Sequence, residues 1–167
     1  MAVELPEWYT DPGYVDVEKL IVDLFKWLLP DFGPKNIGTI IPEGWYTPWE
    51  GEPEPLIRVW RMPGNALEQI PVDHALVDIA TLSRSRQDSW KLNGFVRDVM
   101  HEIVGVKIPM RDGGQKVLNK CEEWVGPSQR PEQFVDDKFI PTTFLLSVDR
   151  KRILPDYKKI LNNLPRP

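Results

Sequence analysis

The chain of 167 residues has one cysteine, Cys121, and two histidines, His74 and His101. A single thiol cannot close an internal disulfide, and no thiol–metal spacing can be built around it. No run of about 18 apolar residues occurs, so no transmembrane helix and no membrane partner are expected. The opening Met1-Ala2-Val3-Glu4 has neither the basic nor the apolar region of a signal peptide, which predicts synthesis in the cytoplasm. Positive charge is also scarce. The 21 Lys and Arg against 25 Asp and Glu leave a net charge of −4, whereas a sequence-reading nucleic-acid module carries a basic patch.

Catalytic patterns are missing as well. His101-Glu102 opens like a zinc-protease motif, but Gly105 stands where the second histidine belongs, which excludes the motif. His101 is read instead as a residue on the solvent edge of a helix, and His74 as a strand histidine paired with a neighbour. Gly113-Gly114 lacks the Lys-Ser/Thr of a phosphate-cradling loop. Cys121 has no histidine near it in sequence. No pair of acids is singled out for acid–base work. A non-enzyme is expected, with no catalytic residue, metal or cofactor.

What is present suits one α+β domain with a real core, since 41% of residues are hydrophobic. The 17 prolines are about twice the usual ~5% share and predict long structured loops. Of the seven tryptophans, several lie in polar, proline-rich stretches.

The organising stretch is 72–104. Val72–Leu82 reads as a strand, with Ala75, Val77 and Ile79 on one face and His74, Leu76, Asp78 and Ala80 on the other. Helices are expected on one side and partial cover on the other. Residues 88–104 read as an amphipathic helix with Leu92, Phe95, Val96, Val99, Met100 and Ile103 on one face. Ser85 and Asp88 form a candidate capping box at its start. Gly94 costs about 1 kcal/mol against alanine inside that helix, and close approach to the sheet is the expected gain.

The remaining elements fall around this unit. Residues 1–14 are an acidic, aromatic arm, either a loose terminus or a strap laid on a neighbour. A first helix is predicted over 17–29, capped by Asp16, with Val17, Leu20, Ile21, Leu24, Phe25 and Leu28 buried, and Pro30 stops it. Strands are predicted at 36–41, Leu56–Met62, 117–125 and 138–149, making a mainly antiparallel sheet of about five strands with both helices packed on one face. Pro141 belongs at a strand start, an edge or a bulge. Residues 105–115 form a turn-rich connection. A short helix is expected around 157–161.

Two regions stand out as binding surfaces. The loop at 42–55 carries Trp45, Tyr46 and Trp49 among acids; these either meet another chain or fold back over the edge of the core. On the strand after it, Arg58 and Trp60 occupy the face opposite Ile57 and Val59 and join the interface candidates. The charge is split between the ends. Residues 1–54 hold 11 acids and 3 bases, and residues 150–167 hold six bases against Asp156. The two ends are either simply solvated or meet each other between subunits through Arg150, Lys151, Arg152, Tyr157, Lys158 and Lys159. The layout is one domain: arm 1–14, core 15–150, basic tail 151–167.

The order of elements resembles the tail terminator proteins of long, non-contractile-tailed bacteriophages of the actinobacterial kind. Four pieces carry the resemblance: the opening helix, the strand Leu56–Met62 with its turn Pro63-Gly64, the unit opening at Val72, and the loop leading into 139–150. Together they span residues 15–150. The resemblance implies a subunit of a hexameric ring that sits on the last ring of the tail tube, halts tube growth and presents a surface to the head connector. Genomic DNA would pass through its lumen without sequence-specific binding. It implies a virion location and no catalytic residues. The alternatives are another neck component, such as a head-completion or connector protein, or a small enzyme with an unrecognised site.

Overall fold

The computed structural model describes residues 4–9, 13–42, 54–63, 72–128, 138–149 and 156–163. Their elements run α1 (Val17–Leu28), β1 (Ile37–Gly38), β2 (Leu56–Met62), β3 (Val72–Leu82), α2 (Arg86–Glu102), β4 (Ile108–Pro109), β5 (Gln115–Lys116), β6 (Leu118–Val125), β7 (Ile140–Asp149) and α3 (Tyr157–Asn162). The class is α+β. Five strands form a mixed sheet in the order β1-β2-β3-β7-β6, and β4 and β5 make a separate ribbon. Only β1 and β2 run parallel; β2–β3, β3–β7 and β6–β7 are antiparallel.

Local chemistry sets the boundaries. The Asp16 carboxylate accepts the Lys19 N–H at 3.0 Å and so satisfies an orphan donor at the start of α1. Pro30 follows its end and cannot continue it. The buried stripe is Val17, Leu20, Ile21, Val22, Leu24 and Phe25. Leu28, expected in that stripe, is exposed. Leu29 has left helical geometry (φ −123°, ψ 65°) and packs against the core instead. The strand expected at 36–41 shrinks to the two residues of β1, because the chain bends at Thr39 and Ile40.

At α2, the Asp88 N–H donates to Ser85 Oγ at 3.1 Å, and that hydroxyl donates to Asp88 Oδ2 at 2.7 Å. The helix therefore begins at Arg86, two residues earlier than expected. The close approach expected at Gly94 is absent, since a Cβ there would meet nothing within 4 Å. Its neighbour Asn93 reaches the sheet instead, and its Nδ2 donates to Ile140 O at 3.2 Å and to Thr142 Oγ1 at 3.0 Å. The connection at 105–115 contains the β4–β5 ribbon, turned by Gly113 and Gly114 at φ +95° and +78°, values that side chains rarely tolerate.

One buried cluster joins the helices to the sheet. Leu20, Ile21, Leu24 and Phe25 of α1, with Val96 and Met100 of α2, lie with Ile57, Val59, Ala75, Val77, Ile79, Phe144, Leu146 and Val148. These strand residues alternate along β2, β3 and β7, and the register sets Val59 beside Ile79 and Val77 beside Phe144. A smaller cluster, Leu56, Ala80 and Leu82 with Ile41, Trp60 and Phe139, covers one end of the second face.

Candidate assembly surfaces

The second face of the sheet is built from the other set of alternating residues. Arg58, Trp60 and Met62 of β2, His74, Leu76 and Asp78 of β3, and Thr143, Leu145 and Ser147 of β7 share it. Most of these side chains are half-buried. Arg58 Cζ stands 4.6 Å from the Trp60 ring centroid, a cation–π distance, and Arg58 Nε donates to Thr39 O at 3.3 Å. Trp60 stacks on Phe139 with centroids 6.1 Å apart. The two interface candidates on β2 thus contact each other, and Trp60 is also partly used within the subunit.

His74 Nδ1 lies 2.7 Å from Ser147 Oγ, the paired strand histidine expected from the sequence. Asp78, in register between Trp60 and Thr143, is buried. Its Oδ1 accepts from the Thr143 hydroxyl, while Oδ2 has no hydrogen-bond partner among the described residues. Such a group is costly inside a protein. Sequence reading placed Asp78 on this face but gave it no role. An acid in the middle of an apolar strand was the available signal.

The β6 edge is a different surface. Trp124 is 61% exposed and Val125 lies exposed beside it. The strand slips register twice against β7, between Leu118 and Lys120 and between Glu123 and Val125. Lys120 and Glu122 pair on it at 2.9 Å. Bulges and charges discourage uncontrolled edge pairing. Behind this edge, Arg97 of α2 holds Glu123 by two bonds of 2.8 and 3.1 Å, and His101 joins at 3.2 Å. His101 is solvent-exposed, as expected.

Of the other candidates, Trp45, Tyr46, Trp49, Arg150, Lys151 and Arg152 lie outside the described residues, as does the side chain of Tyr157. Lys158 and Lys159 are exposed on α3, whose first turn is capped by Asp156 accepting the Lys159 N–H at 3.1 Å. The structure therefore brings Arg58 and Trp60 together and leaves Lys158 and Lys159 on a separate short helix.

Chemistry is sparse. Among the described residues no group of three or more His, Cys, Asp or Glu could hold a metal ion, and no helix is long and apolar enough to cross a membrane. Cys121 is half-buried. Burial, then the adjacent Glu122 charge, pushes its thiol up to about 12, so it stays protonated at neutral pH.

Sequence reading missed two ion pairs made by buried acids. Asp73 is gripped by both Arg61 guanidinium nitrogens at 2.9 Å, and Asp23 of α1 takes the Arg111 backbone N–H at 3.0 Å and its guanidinium. The first ties the last residues of β2 to the first of β3, and the second ties the β4–β5 ribbon to α1.

No curated protein matches the chain. A family described as "Phage tail termination protein" matches residues 13–155. The match takes in α1 through β7 and leaves out α3. The chain therefore belongs to the phage tail termination proteins, structural components of the bacteriophage virion.

Proposed function

We propose that this protein forms a hexameric ring on the last ring of the tail tube of a long, non-contractile phage tail. The ring stops tube polymerisation and presents a surface to the head connector or head-completion protein, and genomic DNA passes through its lumen. The family match over residues 13–155 carries this reading. The resemblance of four segments to terminators of actinobacterial phages supports the tail type. Assembly takes place in the host cytoplasm before the neck is joined.

In this reading the 15–150 core is the ring's body, with α1 and α2 on the same face of the sheet. Their shared cluster with alternate strand residues supports that packing. Trp45, Tyr46 and Trp49, with Arg58 and Trp60, form one contact surface. The tail, through Arg150, Lys151, Arg152, Tyr157, Lys158 and Lys159, lies near acidic residues of a neighbouring terminator or tube subunit. A lumen that lets DNA slide must not grip phosphates, and the net charge of −4 agrees with a neutral or acidic lining.

The test is direct. Purified protein is sized by light scattering and negative-stain imaging, then added to polymerising tube protein. Hexamer-sized rings and shortened, capped tubes are expected. Monomers that leave tube length unchanged overturn the reading. Replacing Trp45, Tyr46 and Trp49 by Ser should abolish assembly while the circular-dichroism spectrum is kept. Loss of folding would assign them to the subunit's own core.

A further inference from the structure

A groove of about 950 Å³ runs along the outer side of α1, between the helix and the segment 34–42. Val22, Ile37, Ile40 and Ile41 supply its apolar lining, and Ile40 is 77% exposed. Four cations stand around it: Lys19, Lys26, Lys35 and Arg111. Two already have partners. Lys19 pairs with Asp112 at 2.5 Å, and Arg111 with Asp23. Lys26 and Lys35 have no carboxylate partner among the described residues. The two acids of the lining are occupied elsewhere, since Asp16 caps α1 and Glu18 accepts the Arg61 N–H at 2.6 Å. Burial, then the nearby Arg111 charge, lowers the Lys26 pKa against the pull of Asp23.

The chain carries a segment of matching chemistry. Residues 1–15 contain Glu4, Glu7 and Asp11 and no Lys or Arg. Glu4 and Glu7 are exposed and have no ion-pair partner among the described residues. Leu5, between them, is 60% exposed. Residues 4–9 therefore do not line their own subunit's groove. It joins the core at the buried Val15, beside Gly13 at φ +72°. Ten residue-to-residue steps lead from Leu5 to Val15, a reach of up to about 35 Å when extended.

We infer that the acidic arm of one subunit docks in the α1–β1 groove of the next, with Leu5 on the apolar lining and Glu4 and Glu7 on Lys26 and Lys35. Such a contact uses two different surfaces, and it gives a ring where the rotation from one subunit to the next closes. Apolar burial holds the arm, and the charges choose its register and weaken with salt. The inference rests on the ring reading above and names the contact that links its subunits.

Disulfide trapping tests it. Leu5→Cys and Ile40→Cys are made singly and together, and oxidised with and without tube protein. Wild type, whose Cys121 thiol stays protonated, is the control. The mixed single variants should form one disulfide-linked pair that neither forms alone. The double variant should give a ladder of linked chains. A double variant that yields only a fast-migrating, internally linked monomer means that the arm folds onto its own subunit, which overturns the inference. Rings that form without any cross-link overturn it too and leave the ring reading standing. Monomers that neither cross-link nor cap tubes end both. A charge exchange gives a second readout. Lys26→Glu with Lys35→Glu should weaken assembly at least tenfold at low salt. Adding Glu4→Lys and Glu7→Lys should restore it, and no rescue counts against the pairing.

Discussion

Asp23, Asp73 and Asp78 are buried carboxylates, held by Arg111, Arg61 and the Thr143 hydroxyl in turn. Arg61→Ala leaves Asp73 buried without its two bonds and should cost about 2–3 kcal/mol, read as a lower urea midpoint at unchanged slope. Gly94→Ala works in the opposite direction. The added methyl meets nothing within 4 Å and the residue has no positive φ, so about 0.5–1 kcal/mol of stability is gained, measured the same way. Both outcomes depend on facts that the sequence holds only partly. A glycine inside a helical pattern is visible, but whether the sheet presses on it is not. Asp23 and Arg111 stand 88 positions apart, and no local rule joins them. His74 was legible because its strand neighbours would have to supply a partner, and Ser147 does.

Elements were legible where a period or a cap spoke for them. The Ser85–Asp88 pair marks the start of α2, and Ser85→Ala should lower stability by about 1 kcal/mol in thermal or urea melts. The stripe of α1 was readable except at its last turn, where the helix ends before Leu29. β1 could not be read as two residues, because its pairing to β2 depends on Asn36 accepting the Ile57 N–H at 2.8 Å, a long-range event. The α2–β6 junction gives a pH test. Hydrogen bonds from Arg97, aided by its charge and by His101, hold the Glu123 carboxyl below its usual value. Its stabilising effect is complete above the unfolded carboxyl pKa of about 4.3 and is lost as pH falls through the lower folded value. Glu123→Gln should therefore be less stable than wild type at pH 7 and lose less on going from pH 5 to pH 3, as followed by urea midpoints.

At the scale of the whole molecule, removing residues 151–167 should leave the subunit folded and weaken assembly. Salt alone should weaken assembly only modestly, because exposed ion pairs are each worth ~0.2–1 kcal/mol. Sedimentation at two salt concentrations checks both, and a truncated chain that assembles as well as the full one defeats the tail's role. The fold class was readable from alternation and helical stripes, whereas the order β1-β2-β3-β7-β6 was not, since it places β7 between β3 and β6. That order also governs how the molecule comes into being. β3 pairs with β7 along ten positions, with Val77 beside Phe144 and Ile79 beside Thr142, so the middle of the sheet joins distant parts of the chain. Folding dominated by such pairings runs in milliseconds to seconds. On the ribosome, at roughly 5–20 residues per second, β3 emerges several seconds before its partner. Through that interval one side of β3 is bare, and nascent chains crowded on one message could pair there with each other. The hazard ends only when translation delivers β7, so slower elongation late in the message lengthens it.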